Sequence, residues 1–304
     1  MTQVQRPHGT YNVFPCDLCG MDDPAEIEVA RRYTNDQPLH VCKNCGFVYV
    51  RERRSAQDIA DSWTNEIYQS SYTARIPAVK ARQMFVAETI DTTIGLKDSR
   101  LCDIGGGEGQ FLQMASSAEY GAKAFAIEPS AGNCAKLTTL GIESFHGTIE
   151  EFIAADDGTA KFDIATIMWT LENCQNCRTM LDAAYALLKP GGRLVIATGS
   201  RILVPFKKPL NLYLSHQVAD AHCFRFSAST LEGLLAISGF EVEHRNRYLD
   251  QDVLCLVGRK TDRSQEISWT GDDWKAVVDF FQRWDRETRE HYADSISERV
   301  DNTP

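Results

Sequence analysis

No apolar run in this 304-residue chain approaches the roughly 20 residues that a membrane-crossing helix needs. The opening stretch, MTQVQRPHGTYNVFPCDLCG, also lacks the apolar core of a secretion signal. Both absences lead to the expectation of a cytoplasmic protein that does not engage membranes. Positive charge is scarce too: 32 Lys and Arg face 42 Asp and Glu, a net charge of −10. Nonspecific nucleic-acid binding is carried by clustered Lys and Arg, so this balance counts against a nucleic-acid partner. Half of the excess lies in residues 262–304, where 11 acidic side chains stand against 6 basic ones. What remains is an ordinary globular composition, 43% hydrophobic and 24% charged, with length for about two domains.

Cysteine is plentiful by comparison. Cys16 and Cys19 form one CxxC pair and Cys42 and Cys45 another, each followed by glycine, with 22 residues between the pairs. Four thiolates at this spacing match a tetrahedral structural zinc site, and a full set of cysteines leaves no open position for catalytic water. Two disulfides are the poorer explanation in a reducing compartment. The flanking EIEVARRY and PLHVCKNCGFVYV read as short strands, which gives a zinc ribbon over residues 1–54, with His40 an ordinary strand residue. A third pair, Cys174 and Cys177, has no second pair to join it and reads as two thiols on the first turn of a helix.

Residues 101–111, LCDIGGGEGQF, have the pattern of a strand, a glycine-rich turn and a helix. Such a turn lets the backbone approach a ligand, and the helix start offers unpaired N–H groups. Strand-like segments recur at 122–127, near Phe145, at 162–168 and at 192–197, the last after the turn Lys189-Pro190-Gly191-Gly192. Strands alternating with helices predict an α/β domain with a doubly wound parallel sheet, here residues 95–261, that binds ligands at the carboxyl ends of its strands. Glu128, at the end of the second strand, suits a ribose diol. Asp103, at the head of the loop, would repel a pyrophosphate and attract a cation. The glycines also fall as GxGxG rather than GxGxxG, so a cationic nucleoside fits better than a dinucleotide. Before this domain, residues 55–94 are helical in character, a connector or lid interrupted by the hydroxyl-rich Tyr68–Thr73.

The motif Asp103–Gly109, Glu128, Met168–Asn173 and LLKPGG, taken in this order, resemble a class I S-adenosylmethionine-dependent methyltransferase over residues 80–260. The resemblance implies that Gly105, Gly107 and Gly109 border the methionine portion. It also implies that Glu128 holds the ribose hydroxyls and that Trp169, Thr170 and Leu171 line the sulfonium side. Thr148 stands where many relatives carry an aspartate to the adenine, so backbone groups of Thr148 and Ile149 are expected to substitute. The four-cysteine ribbon followed by this fold is similar to the zinc-ribbon methyltransferases of bacterial sugar and surface-polysaccharide biosynthesis. In sugar C-methyltransferases of that group, a histidine matching His222 acts as base, and tyrosines in a segment like SSYT, here with Tyr72, face the substrate. Ala221 stands where the group has an acidic neighbour, and the group's long C-terminal domain is not in this sequence, so O-, N- and C-methylation all stay open.

Methyl transfer needs an in-line nucleophile, exclusion of water and usually a base, so His222, Tyr72 and Glu172 are the candidate catalytic residues. Arg201, Lys207 and Lys208, after the fifth strand, would meet a diphosphate if the acceptor carries one; otherwise they form a solvated loop, the default for a charge cluster. Trp274, Val277, Val278, Phe281 and Trp284 share one face of an amphipathic helix in the 262–304 tail, which packs on its own domain or forms a homodimer contact. The resulting expectation is a methyl transferase for a sugar, nucleotide-linked. The alternatives are an RNA methyltransferase and a noncatalytic cofactor-binding scaffold.

Overall fold

The computed structural model describes residues 2–6, 9–62, 76–155, 161–201, 208–214, 219–247, 253–264 and 266–292. Tyr72 and Lys207 lie outside the described residues, as do Trp63 and Ile67 of the connector.

The N-terminal part carries six short strands: β1 (Gln3–Arg6), β2 (Gly9–Val13), β3 (Pro24–Glu26), β4 (His40–Cys42), β5 (Val48–Tyr49) and β6 (Glu52–Arg53). Helices α1 (Ala56–Ser62) and α2 (Ile76–Thr93) follow. The α/β domain then runs β7 (Arg100–Ile104), α3 (Gln110–Ala115), β8 (Lys123–Glu128), α4 (Ala131–Thr139), β9 (Glu143–His146) and α5 (Ile149–Ala155). It continues with β10 (Phe162–Met168), α6 (Cys177–Leu187), β11 (Leu188–Gly199), α7 (Leu210–Leu214) and β12 (Phe224–Arg225). Helix α8 (Ala228–Ile237), β13 (Phe240–Arg245), β14 (Val253–Lys260) and α9 (Trp274–His291) complete the chain.

The central sheet has seven strands in the order β13-β14-β11-β10-β7-β8-β9. It is mixed, which corrects the expected all-parallel sheet: β14 runs antiparallel to both β11 and β13. A direct hairpin-like return from β13 replaces the helical crossover that a parallel neighbour would need. Along β11, Leu194 and Ile196 enter one core while Val195 and Ala197 enter the other, the period of two that a sheet covered on both faces requires. Leu181, Leu187, Leu231 and Leu234 from α6 and α8 cover the first face. Val86, Ile90, Phe111, Leu112 and Leu137 from α2, α3 and α4 cover the second. Strand β11 also starts earlier than expected. Its register with β10 steps from Phe162–Leu188 to Ile164–Arg193, which places Lys189–Gly192 in a bulge with Gly191 at φ 71°.

A second sheet has the order β12-β5-β4-β3, so a strand from beyond the fifth central strand pairs with the cysteine-bearing segment. Phe47 stacks on Phe224 at 5.7 Å and lies tilted against Phe226 at 6.0 Å between ring centres, which carries the main core across that junction. A third core joins Ile27, Leu39, Val41 and Val48 to Val277, Phe281 and Trp284 of α9. Of the side chains expected as anchors for a second copy, Val277, Phe281 and Trp284 are buried by the chain itself, while Trp274 and Val278 are half-buried.

Candidate active site

Strand β7 delivers Asp103 to the sheet's carboxyl edge and hands the chain to Gly105–Gly109. Gly105, Gly107 and Gly109 all have positive φ, at 77°, 55° and 85°. They differ in what surrounds them. A Cβ on Gly105 would come within 2.6 Å of the Thr170 hydroxyl, and one on Gly109 within 2.6 Å of Leu137, whereas one on Gly107 would meet nothing within 4 Å. Gly107 thus presents bare backbone to open space. Its N–H donates to Glu128 Oε2 at 2.9 Å, while Glu128 Oε1 accepts from Ser130 N at 2.9 Å and from Asn133 Nδ2 at 3.3 Å. The carboxylate is held from both sides with lone pairs to spare, the arrangement a ribose diol needs.

Asp103 is buried and accepts a 2.6 Å hydrogen bond from Thr166. Burial pushes its carboxyl up to about 8; the Thr166 bond opposes this and the Glu128 charge adds to it. A carboxyl that has to stay protonated at neutral pH is poised for a cation, whose arrival would restore its charge. Asp103 and Gly107 therefore fit a nucleoside with a positively charged amino acid tail.

Strand β10 is followed by Trp169, a residue with φ 52°, and then by a turn of 3-10 helix at Leu171–Asn173. A non-glycine residue held there is costly unless neighbours fix it, and such strain gathers at ligand sites. Trp169 N donates to Ala197 O at 2.8 Å, Asn173 Nδ2 donates to Trp169 O at 2.8 Å, and the Arg82 guanidinium of α2 lies 5.3 Å from the indole centre. Because the Asn173 amide nitrogen is spent on Trp169, its Oδ1 faces His222 Nδ1, at 2.5 Å. His222 Nδ1 is thus the donor and Nε2 carries the lone pair. Burial, with Arg225 and Lys208 adding to it, lowers the His222 pKa to about 3.

Glu172 projects from the same 3-10 turn. Burial raises its carboxyl to about 7, although its own backbone, Thr198 and the Arg225 charge favour ionisation. Its Oε2 is buried without a partner among the described residues. On β12, Arg225 is buried, and burial lowers its pKa. Two carboxyl-edge assemblies result: a glycine and carboxylate cradle over β7 and β8, and a buried polar group of Glu172, Asn173, His222 and Arg225 beyond β10 and β11.

The family profile described as Methyltransferase domain matches residues 78–245, a span that contains both assemblies. The chain belongs to this methyltransferase family. A Vibrio campbellii relative, a ubiquinone/menaquinone biosynthesis C-methyltransferase, is 30% identical over 181 residues, spanning 50% of this chain and 68% of its own. A ubiquinone biosynthesis O-methyltransferase of Xanthomonas euvesicatoria is 32% identical over 125 residues, covering 39% of this chain and 51% of its own. Among solved structures, the Burkholderia thailandensis 1,6-didemethyltoxoflavin-N1-methyltransferase, bound to its substrate and S-adenosylhomocysteine, shares the fold. Its TM-score is 0.52 at 18% identity, over 71% of this chain and 96% of that one. The protein is an S-adenosylmethionine-dependent methyltransferase.

Several residues of this methyltransferase serve differently from expectation. Leu171 is fully buried in the main core. Thr148 N donates to Glu151 Oε2 at 2.7 Å and Glu151 N to Thr148 Oγ1 at 3.2 Å, a reciprocal cap on α5 that occupies the amide proposed for adenine. Arg201 is not in a solvated loop: it is buried and ion-paired with Asp272. Arg225 and Asn173 carry no role in the sequence reading; Asn173 falls inside the Met168–Asn173 motif and Arg225 three residues after His222, but neither type signals a role without its neighbours in space.

The four N-terminal cysteines converge as their spacing predicts. The sulfurs of Cys16, Cys19, Cys42 and Cys45 all lie within 4.8 Å of one another, with Cys16–Cys45 at 3.6 Å and Cys19–Cys42 at 3.5 Å. A tetrahedron with Zn–S bonds of 2.3 Å has sulfur–sulfur edges of about 3.8 Å, so the cluster fits such an ion. Gly20 and Gly46, at φ 76° and 68°, turn the chain after each pair. Hydrogen bonds from Cys16 and Cys45, and from the backbone of Asn44 and Cys45, hold the Cys42 thiol well below its usual pKa.

Proposed function

We propose that this methyltransferase acts on a sugar, linked to a nucleotide, in the biosynthesis of a surface polysaccharide or related glycan. The observation that carries this reading is the buried Glu172 carboxyl, whose Oε2 has no partner among the described residues and stands with Asn173, His222 and Arg225. A polyhydroxy acceptor can satisfy such a lining, whereas a flat apolar ring would leave its donors and acceptors unmet. The four-cysteine segment ahead of the fold supports the same reading by resemblance.

S-adenosylmethionine supplies an electrophilic methyl group on a sulfonium. Glu128 and the Gly107 backbone would hold the nucleoside, and Asp103 would meet the amino acid tail. Glu172, ionised near neutral pH, accepts the proton of the attacking hydroxyl. His222 is neutral throughout that range, and its low pKa makes it a poor final base. Cys16, Cys19, Cys42 and Cys45 would hold a structural zinc ion. All ten cysteines are unpaired thiols, which agrees with a cytoplasmic location.

Transfer of labelled methyl groups to a panel of nucleotide-sugars, transfer RNA and quinone precursors tests this. Label in a sugar is the expected result. Label confined to RNA or to an aromatic ring would overturn the sugar assignment.

A further inference from the structure

Two arginines lie fully or almost fully buried at the junction between the cysteine-bearing segment and the α/β domain, and they are treated in opposite ways. Arg53 is satisfied on all three nitrogens. Its Nε donates to Val50 O, its Nη1 to Gln175 O and Asp17 Oδ1, and its Nη2 to Asp17 Oδ2. Its guanidinium also lies between the rings of Phe14 and Phe224, each 4.6 Å away.

Arg225, one residue beyond Phe224, uses only Nη1, on the carbonyls of His222 and Phe224. Its Nε and Nη2 are buried and have no partner among the described residues. The ring of Tyr213, 5.4 Å from the guanidinium carbon, steadies the cation without engaging those two donors. Glu172 acts on Arg225 electrostatically, yet its Oε2 accepts nothing from it. Lys208 and Arg201 act on the neighbouring His222 and Tyr213, so the surroundings are cationic, and Arg201 Nε is likewise buried without a partner among the described residues. Leaving a desolvated charge half-bonded is costly, and natural structures do it where something else completes the bonds.

The two open donors define the missing partner. Nε–H and Nη2–H lie parallel on one edge of the guanidinium, the fork that takes two oxygens of a carboxylate or phosphate side-on. We propose that Arg225 binds an oxyanion carried by the methyl acceptor, and so selects anionic acceptors over neutral ones. The selecting residue stands three positions after His222, so the oxyanion end of the acceptor and its methylated end are fixed by one short segment. This assignment rests on reading the Glu172–His222 group as the acceptor site. It does not depend on the acceptor being a sugar.

The test is calorimetric titration of the full-length protein, saturated with S-adenosylhomocysteine, with pyrophosphate, glucuronate and glucose. At least one anion should bind, tenfold or more tighter than glucose. Tighter binding of pyrophosphate assigns the group to a phosphate; tighter binding of glucuronate assigns it to a carboxylate. R225Q should lose tenfold or more of that affinity while S-adenosylhomocysteine affinity stays within twofold. R225K, which keeps the charge and loses the fork, should recover only part, and it decides the matter where R225Q does not fold. Absence of binding by either anion to the native protein would overturn the proposal. So would an R225K or R225Q protein that binds the anion as the native one does. Anion binding that depends on Arg225, without methyl transfer to any nucleotide-sugar, would retain this role for Arg225 and sink the sugar assignment instead.

Discussion

The backbone N–H of Asp272 donates to the carbonyl of Cys45 at 3.0 Å, which ties the segment before the last helix to the second cysteine knuckle. There is no room for side chains where they meet. A Cβ on Gly46 would lie 2.3 Å from Asp272 O, and one on Gly271 would lie 2.3 Å from Cys45 O. The Asp272 carboxylate then accepts from Ser227 Oγ at 2.6 Å and Ser229 Oγ at 2.8 Å, and pairs with Arg201. The knuckle, the start of α8 and the post-β11 arginine thus share one acidic residue.

Metal removal should be felt at that junction. The purified protein is expected to hold one zinc per chain. Stripping it with a thiol-reactive mercurial and a chelator should lower Tm by ten degrees or more and expose residues 262–272 to protease, because structural zinc contributes folding energy directly. Unchanged melting and proteolysis after removal would show that the four thiols suffice alone.

Glu172 makes a prediction about pH. With its carboxyl raised to about 7 by burial, turnover should climb through pH 7 as the base ionises, whereas a histidine of pKa about 3 would give a flat profile from pH 5 to 9. Glu172→Gln should lower kcat by about 100-fold or more with cofactor affinity unchanged. The stability effect has the opposite sign. The folded protein binds this proton more tightly than the unfolded chain, so stability is lost as pH rises toward 7. Glu172→Gln should therefore melt higher than the native protein at pH 8 and close to it at pH 4.

Asp103 should release a proton when the cofactor product binds. Its carboxyl, at about 8 in the free protein, is mostly protonated at pH 7, and the ligand's ammonium favours the ionised form. Calorimetry in buffers of different ionisation enthalpy should show close to one proton released at pH 7 and nearly none at pH 9.5. Equal release at both would remove the assignment of Asp103 to the cationic tail.

The Asp17–Arg53 pair tests the junction itself. Both side chains are almost fully buried, so Asp17→Ala leaves a guanidinium without its counter-charge and should cost about 3–5 kcal/mol in chemical denaturation. The double variant Asp17→Leu with Arg53→Met should recover much of that loss. A single variant as stable as the native protein would mean that the carbonyl bonds and aromatic rings hold Arg53 unaided.

Local pattern made the cofactor half of the site legible. The glycines, Glu128, the limits of β10 at Phe162 and Met168 and the two cysteine pairs are each set by residues close together in the chain. Features set by distant contacts were not legible. Leu171 is drawn into the core by packing from α6, Thr148 is claimed by its own helix cap, and Arg201 is paired with Asp272 about seventy residues later. Arg225 could not be told from a surface arginine, because its meaning lies in two buried donors without an acceptor among the described residues. The antiparallel β14 escaped because its apolar run fits either direction.

The pairing of β5 with β12 also has a consequence for the order of assembly. Tyr49 and Val48 find their partners at Phe224 and Arg225, and the opposite side of the same small sheet is closed by α9. The cysteine-bearing segment is made before the residues that complete its sheet edge and its core. Such long-range closure is slow and leaves apolar surface bare in the meantime. The cysteine-bearing segment thus finishes folding later than its place ahead of its partners suggests, and it depends on protection in the interval.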